Sequence, residues 1–143
     1  MDPDYPIKGA RTFFAGGAGL SSTARDYATF LQMYLNGGEL NGQRFLSRTT
    51  VETILANQTG DLMGGKNGDA YFSLAYAVLR PAGQDKGGKG STGTFAWGGY
   101  FNTQYFADPP EKVVGVLLKQ TEGATSDKTG DLFRQLVMQA IDD

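Results

Sequence analysis

Among its 143 residues the sequence has no cysteine and no histidine. Those two absences together remove thiolate nucleophiles, structural disulfides, imidazole bases and most zinc sites. A Ser-His-Asp hydrolase is excluded. Any acid–base chemistry in the chain has to use Lys, Tyr, Asp, Glu or backbone groups, which for a serine enzyme leaves activation of the Ser-Lys kind. The lack of cysteine does not fix the compartment, and localisation stays open. A surplus of one charge is missing too. The 13 basic and 15 acidic side chains give a net charge of -2, and the basic ones are scattered. They offer no footprint for a phosphate backbone or an anionic surface, so neither nucleic acid nor a membrane is an expected partner. No apolar run approaches the length needed to cross a bilayer, and residues Met1 to Lys8 are polar and proline-interrupted where a signal peptide has an apolar core. The expectation is a soluble chain whose residues 1–143 form a single domain with an ordinary core.

Glycine is what the sequence has in plenty. Its 21 residues cluster at Gly16–Gly19, Gly37-Gly38, Gly60–Gly68, Gly83–Gly93 and Gly98-Gly99, cutting the chain into short elements with no internal repeat. From an N-cap at Ser22 or Thr23, with Asp26 at capping-box distance, Tyr27, Phe30, Leu31, Tyr34 and Leu35 recur at helical spacing. Asn36-Gly37 ends that helix. An Asn41-Gly42 turn follows, and Ser47 or Thr50 caps a second helix with Val51, Ile54 and Leu55 as its apolar stripe. From Tyr71 to Leu79 the pattern alternates, with Phe72, Leu74, Tyr76 and Val78 on one side, which predicts one strand stopped by Pro81. Gln84–Gly93 has nothing to bury and is either a mobile surface loop or an active-site flap. Strands are predicted over Thr94–Trp97 and Asn102–Ala107. A turn at Asp108-Pro109-Pro110-Glu111 leads into Val113–Leu118, an apolar run expected to be a central strand covered on both faces. A cap at Ser126 or Asp127 opens a last helix whose stripe, Leu132, Phe133, Leu136, Val137, Ala140 and Ile141, is expected to lie on the sheet. The fold class is α+β, an antiparallel sheet flanked by helices.

Two segments carry a resemblance. The first runs Gly16-Gly17-Ala18-Gly19-Leu20-Ser21-Ser22-Thr23-Ala24-Arg25-Asp26-Tyr27 and continues through Leu35-Asn36-Gly37-Gly38-Glu39-Leu40-Asn41-Gly42 to Phe45-Leu46-Ser47. The second is Trp97-Gly98-Gly99-Tyr100, followed by Ala107-Asp108-Pro109 and Val113–Gln120. In order and spacing they resemble the penicillin-recognising serine hydrolases: serine β-lactamases (class C above all), DD-peptidases and family VIII esterases. The resemblance covers nearly all of this chain but only the later part of a family member. It implies the C-terminal part of the β-lactamase/DD-peptidase-like fold, with a C-terminal helix on the sheet, and it implies no cofactor and no metal.

That family brings together a Ser-x-x-Lys helix start, a Tyr-x-Asn or Ser-x-Asn loop and a strand carrying Lys-Thr-Gly or a variant. Only the third has a counterpart. Ser21, Ser22, Ser47, Ser73, Ser91 and Ser126 are followed three residues on by Ala24, Arg25, Thr50, Tyr76, Thr94 and Thr129, never by lysine. A serine without a paired base is a weak nucleophile, so the chain alone is expected to be inactive. Two letter-for-letter matches have simpler readings. Lys128-Thr129-Gly130 reads as the start of the last helix, and Tyr34-Leu35-Asn36 as core plus C-cap.

By the resemblance, Trp97, Gly98 and Gly99 line the substrate strand and the backbone N–H of Tyr100 is one oxyanion donor, the other belonging to the absent serine. Trp97 stands where many relatives have Lys or His, which favours esterase-like members. The alternative reading makes Trp97 an ordinary core aromatic and Gly98-Gly99 a bulge or tight turn. Two functional expectations follow. The chain is either the C-terminal fragment of a serine hydrolase acting on small-molecule esters or amides, or a non-catalytic binding module that kept the sheet. Both require a cover for the apolar sheet, whether a missing N-terminal segment or a second chain, such as a second copy in a homodimer. A third expectation pairs one of the serines with Lys119, Lys128 or another lysine brought near by folding.

Overall fold

In the computed structural model, residues 16–17, 20–62, 65–66, 68–121 and 127–141 are described. Ala18 and Gly19 of the first resembling segment, and the alternative cap Ser126, lie outside them. The first helix, α1, spans Ala24–Leu35 and is capped by Thr23, whose hydroxyl accepts from Asp26 N–H at 3.1 Å. Of the two expected caps it is therefore Thr23 that serves, and it also donates to the Asp26 carboxylate at 2.9 Å. The helix ends at Asn36, after which Gly37 and Gly38 turn left-handed. Gly38 cannot be replaced there, since a Cβ would sit 2.2 Å from the carbonyl oxygen of Leu46. A two-strand hairpin follows, β1 (Glu39–Leu40) and β2 (Gln43–Arg44). Its turn is Asn41-Gly42 with both φ positive, as a two-residue hairpin demands. Helix α2 (Arg48–Leu55) is capped by Ser47, whose Oγ accepts from Thr50 N–H, and its Val51 is buried.

The main sheet has five antiparallel strands in sequence order: β3 (Ala70–Phe72), β4 (Ala77–Leu79), β5 (Phe95–Gly98), β6 (Gln104–Asp108) and β7 (Val113–Leu117). Where alternation predicts one strand over Tyr71–Leu79, there is a hairpin. Ser73 Oγ accepts from the N–H groups of Ala75 and Tyr76, closing a local turn that competes with extended backbone, and Leu74 points into solvent at its tip. Pro81 does not merely stop β4; it opens a one-turn helix, α3 (Pro81–Gln84). The last helix, α4 (Thr129–Gln139), begins at Lys128 without a side-chain cap of its own, although Asp127 accepts from Thr129 N–H at 2.8 Å. Lys128-Thr129-Gly130 is thus a helix start, and Tyr34-Leu35-Asn36 is buried helix plus cap.

Helix α1 packs on one face of β6 and β7, and α4 on the other face of β7. This sandwich explains the unbroken apolar run of β7. It corrects the expectation that β7 is central, because among the described residues β7 is an edge strand. Double coverage dictates an apolar run wherever the strand lies in the sheet. The core on the α1 side is aromatic. Tyr34, Tyr76 and Phe95 meet at ring-centroid distances of 4.9 to 5.9 Å, and Tyr27 sits 4.6 Å from Tyr105. Burial pushes the phenols of Tyr76 and Tyr105 well above the ordinary tyrosine range. On the α4 side only part of the expected stripe faces the sheet. Phe133 meets Phe106 and Gly130 lies against Gln104, whereas Leu132 and Leu136 are 53% and 55% exposed and Ala140 is exposed as well.

Candidate active site

The predicted site residues sit where β5 runs out into its hairpin. Strand β4 pairs with β5 only at Ala77↔Ala96 and Val78↔Phe95, while β6 continues opposite Trp97 and Gly98 through Tyr105 and Gln104. Backbone groups along a strand alternate between its two neighbours. Leu79 N–H donates to Thr94 O on the β4 side, and Gly99 N–H donates to Thr103 O on the β6 side, each at 2.8 Å. By that alternation the N–H and C=O of Gly98 point to the β4 side, two residues beyond the last β4 pair. A short stretch of strand edge is therefore left without a ladder partner, next to residues too small to block an approach.

Beyond Gly99, residues Tyr100, Phe101 and Asn102 form a three-residue hairpin loop. Asn102 N–H donates to Gly99 O at 3.0 Å, and Asn102 adopts φ 61, a left-handed conformation that asparagine tolerates. Tyr100 stands at the first corner, 72% exposed, with its ring edge-on to Phe101. The loop is latched from outside the hairpin, because the Asn102 side-chain amide donates to both the carbonyl and the hydroxyl of Thr121, whose own N–H donates to Phe101 O. Trp97 is 48% exposed and packs edge-to-face on Phe72 at 5.3 Å, so it is not an ordinary core aromatic. Gly98 keeps its register opposite Gln104 and is not a bulge, and Gly99 leads into the tight turn. A Cβ at Gly99 would meet Thr103 Oγ1 at 2.3 Å. Thr103, Asn102, Thr121 and Gln104 hold the shape of this edge. The sequence marks them only as polar residues of a turn and a strand, so no periodic signal singles them out.

The Gln84–Gly93 segment belongs to the opposite end of β5. Ser91 N–H and Thr94 Oγ1 lie 2.7 and 2.9 Å from the buried Asp108 carboxylate, and Gln84 Oε1 accepts from Thr92 N–H and Oγ1. Of its two expected roles, a flap over Trp97–Tyr100 is set aside. Four extended residues, roughly 13 Å, separate Thr94 from Gly98. Four of the serines are engaged by groups other than lysine. Ser22, Ser47, Ser73 and Ser91 bond to backbone carbonyls, to threonine hydroxyls or to Glu111, and Lys119 pairs with Asp127. That pair, reinforced by Thr129, holds the Asp127 carboxyl well below the usual carboxylate range. No cluster of three Asp, Glu, His or Cys side chains able to hold a metal occurs among the described residues, and no described helix is long and apolar enough to cross a membrane.

A family model described as Beta-lactamase matches residues 1–139. The chain belongs to the Beta-lactamase family. Two curated relatives from Mycobacterium tuberculosis, the uncharacterized protein MT1414 of strain CDC 1551 and protein Rv1367c of strain H37Rv, are each 30% identical over 118 residues. The alignment covers 76% of this chain and 29% of each relative. Among solved structures, EstCE1, a hydrolase with promiscuous acyltransferase activity, superposes with a TM-score of 0.73 at 22% identity, covering 92% of this chain and 34% of that one. A putative 6-aminohexanoate-dimer hydrolase from Bacillus anthracis gives 0.64 at 25% identity over 85% and 29% of the two chains. The Beta-lactamase-family chain described here thus spans about a third or less of the length of these relatives. Its α+β architecture, with antiparallel strands and a C-terminal helix on the sheet, is that of the family's C-terminal part.

Proposed function

We propose that this chain is the C-terminal part of a serine hydrolase that cleaves small-molecule esters or amides through an acyl-enzyme, and that it is inactive alone. It supplies one wall of the site and one donor for the developing negative charge. The observation that carries this reading is the strand edge at Gly98, left without a ladder partner within a Beta-lactamase-family match that reaches to residue 139. In the complete enzyme the substrate lies along Trp97, Gly98 and Gly99. The Tyr100 backbone N–H and the N–H of the nucleophilic serine hold the oxyanion, while a lysine and a tyrosine outside this chain move the protons. Sequence supports the division of labour, since no serine of this chain has a lysine three residues on. Trp97, large and neutral where Lys or His would attract an anionic substrate, favours neutral acyl groups, as in an esterase.

The test adds a separately made amino-terminal segment bearing Ser-x-x-Lys to the purified chain and follows hydrolysis of a p-nitrophenyl ester. Turnover that needs both pieces, and that is lost when the segment's serine becomes alanine, supports the proposal. Turnover by the 143-residue chain alone, abolished by changing one of its own serines, would refute it. A second reading, a non-catalytic binding module, is favoured by Leu132 and Leu136, which stand exposed one helical turn apart on α4 and offer an apolar ridge to a second chain. A soluble monomer with no affinity for the Ser-x-x-Lys segment would decide for the module, whereas a homodimer fits both readings and does not separate them.

A further inference from the structure

On the α4 side of the sheet, two cavities of about 270 and 290 Å³ adjoin and share Ala77, Ala96, Asp131 and Arg134 in their walls. They form one trough because α4 covers β7 and the Phe106 end of β6, leaving the neighbouring strands paved with small side chains. Arg134 reaches into this trough from α4. Its guanidinium lies 5.3 Å above the Phe106 ring, and its Nε is buried with no hydrogen-bond partner. Neither nearby carboxylate forms an ion pair with it among the described residues. Asp108 is committed to Ser91 N–H, Thr94 Oγ1 and Glu111 N–H, and Asp131 is exposed on the first turn of α4. Burial pushes the guanidinium below its ordinary range, and the charges of Asp108 and Asp131 only partly oppose that. Arginine does not shed its proton at any working pH, and with Nε buried without an acceptor and only the Phe106 ring facing the charge, this half-buried guanidinium carries an electrostatic cost that a bound anion relieves. At the far end of the trough Lys89 pairs with Asp69, so that end adds no net charge and Arg134 is the group that favours an anion.

We propose that this trough is a binding site for a small carboxylate with an apolar body. Arg134 takes the carboxylate and the Ala77–Ala96 floor takes the body, while Trp97 and Gly98 of the candidate site border one end of the same trough. Planar, two-pronged donation makes arginine suited to a carboxylate where lysine acts only as a point charge.

The full chain, labelled with nitrogen-15, is titrated with sodium hexanoate, hexylammonium chloride and hexan-1-ol, and the arginine Nε–H resonances are followed by NMR. Hexanoate should move the Arg134 resonance saturably while the other two do not. The ring signals of Phe133 should respond to hexanoate in the wild type, more weakly in Arg134→Lys and not at all in Arg134→Met. Equal responses to hexanoate and hexan-1-ol, no response up to tens of millimolar, or an unchanged response in Arg134→Met would overturn the proposal. Without ligand, Arg134→Met should also raise Tm by about 3 °C, because an apolar side chain of similar length can keep the packing on Phe106 while removing a half-buried charge whose Nε has no acceptor. A lowered Tm would mean that the charge is already balanced within the chain, and would overturn the proposal equally.

Discussion

Replacing Asp108 by alanine should destabilise the fold and release the Gln84–Gly93 loop. Asp108 is fully buried at the end of β6 and accepts from Ser91 N–H at 2.7 Å through one oxygen and from Glu111 N–H at 3.2 Å through the other. Thr94 Oγ1 lies 2.9 Å from the same carboxylate and 2.6 Å from the Ser91 carbonyl, and with one proton it serves one of them at a time. Two backbone donors and a shared hydroxyl thus depend on this side chain. A hydrogen bond to a charged acceptor contributes about 1.5–3 kcal/mol, and a donor stranded in a buried position costs about 1–3 kcal/mol. Water reaches part of the Glu111 side, so Asp108→Ala should lose about 3–5 kcal/mol rather than the full sum. Asp108→Asn keeps one acceptor oxygen but turns an amide toward the other N–H, and should lose about 2 kcal/mol. Urea denaturation reads both values, and limited proteolysis should show cleavage within residues 84–93 appearing in the alanine variant before global unfolding. A loss below about 1 kcal/mol for alanine, or an unchanged cleavage pattern, would refute the claim that this carboxylate pins the loop.

Other consequences can be measured on the same chain. Gly115→Ala places a Cβ 2.2 Å from the Phe106 ring, which Phe133 and Arg134 hold from the other side, so overpacking should cost about 1–3 kcal/mol in urea denaturation. The raised phenols of Tyr76 and Tyr105 stay neutral in the fold while those of the unfolded chain ionise near pH ~10. Their contribution is complete below that pH and is lost as pH rises beyond it, so Tm should fall steeply in alkali, and Tyr76→Phe should flatten the fall. Asp127 has the opposite sign. Held low by Lys119, it contributes stability above the ordinary carboxylate value near pH ~4 that is lost on acidification, and Asp127→Asn should reduce the acid dependence of Tm. Leu132→Ser with Leu136→Ser should leave Tm nearly unchanged in a monomer, and sedimentation should show lost self-association if that ridge joins two copies.

What the sequence discloses and what it conceals divide along the range of the interactions involved. Thr23, Asn36, Ser47 and the Asn41-Gly42 turn act on neighbours within four residues, so the chain announces them. The Ser73 turn is equally local, yet it is masked because Phe72, Leu74, Tyr76 and Val78 happen to alternate through it and imitate one strand. Position within the sheet is not local at all. The apolar run of β7 reports that both its faces are covered by α1 and α4, and from that it does not follow that another strand lies beyond it. On α4 the apolar residues are more numerous than the face that meets the sheet. Periodicity alone gave Leu132 and Leu136 the same weight as Phe133 and Val137, and passed over the inward Gly130, Arg134 and Met138.

The candidate site shows the same division with more consequence. Trp97-Gly98-Gly99-Tyr100 is legible as a motif because its members are contiguous, but what makes it chemically interesting is the length of another strand. Had β4 begun two residues earlier, its first residues would have paired with Gly98, and the backbone groups now available to a substrate would be ordinary sheet hydrogen bonds. The Ser73 turn prevents this, since it bends the chain away at Tyr76 and fixes Ala77 as the first β4 residue. A serine hydroxyl twenty-five residues upstream thereby decides whether the Gly98 edge stays open. Ser73→Ala should loosen that turn, and the strand edge would be expected to lose definition before the core does. Amide exchange would show this as faster protection loss at Tyr76 and Ala77 with Phe95 unchanged, and equal loss at all three would argue that the edge is set by something other than this turn.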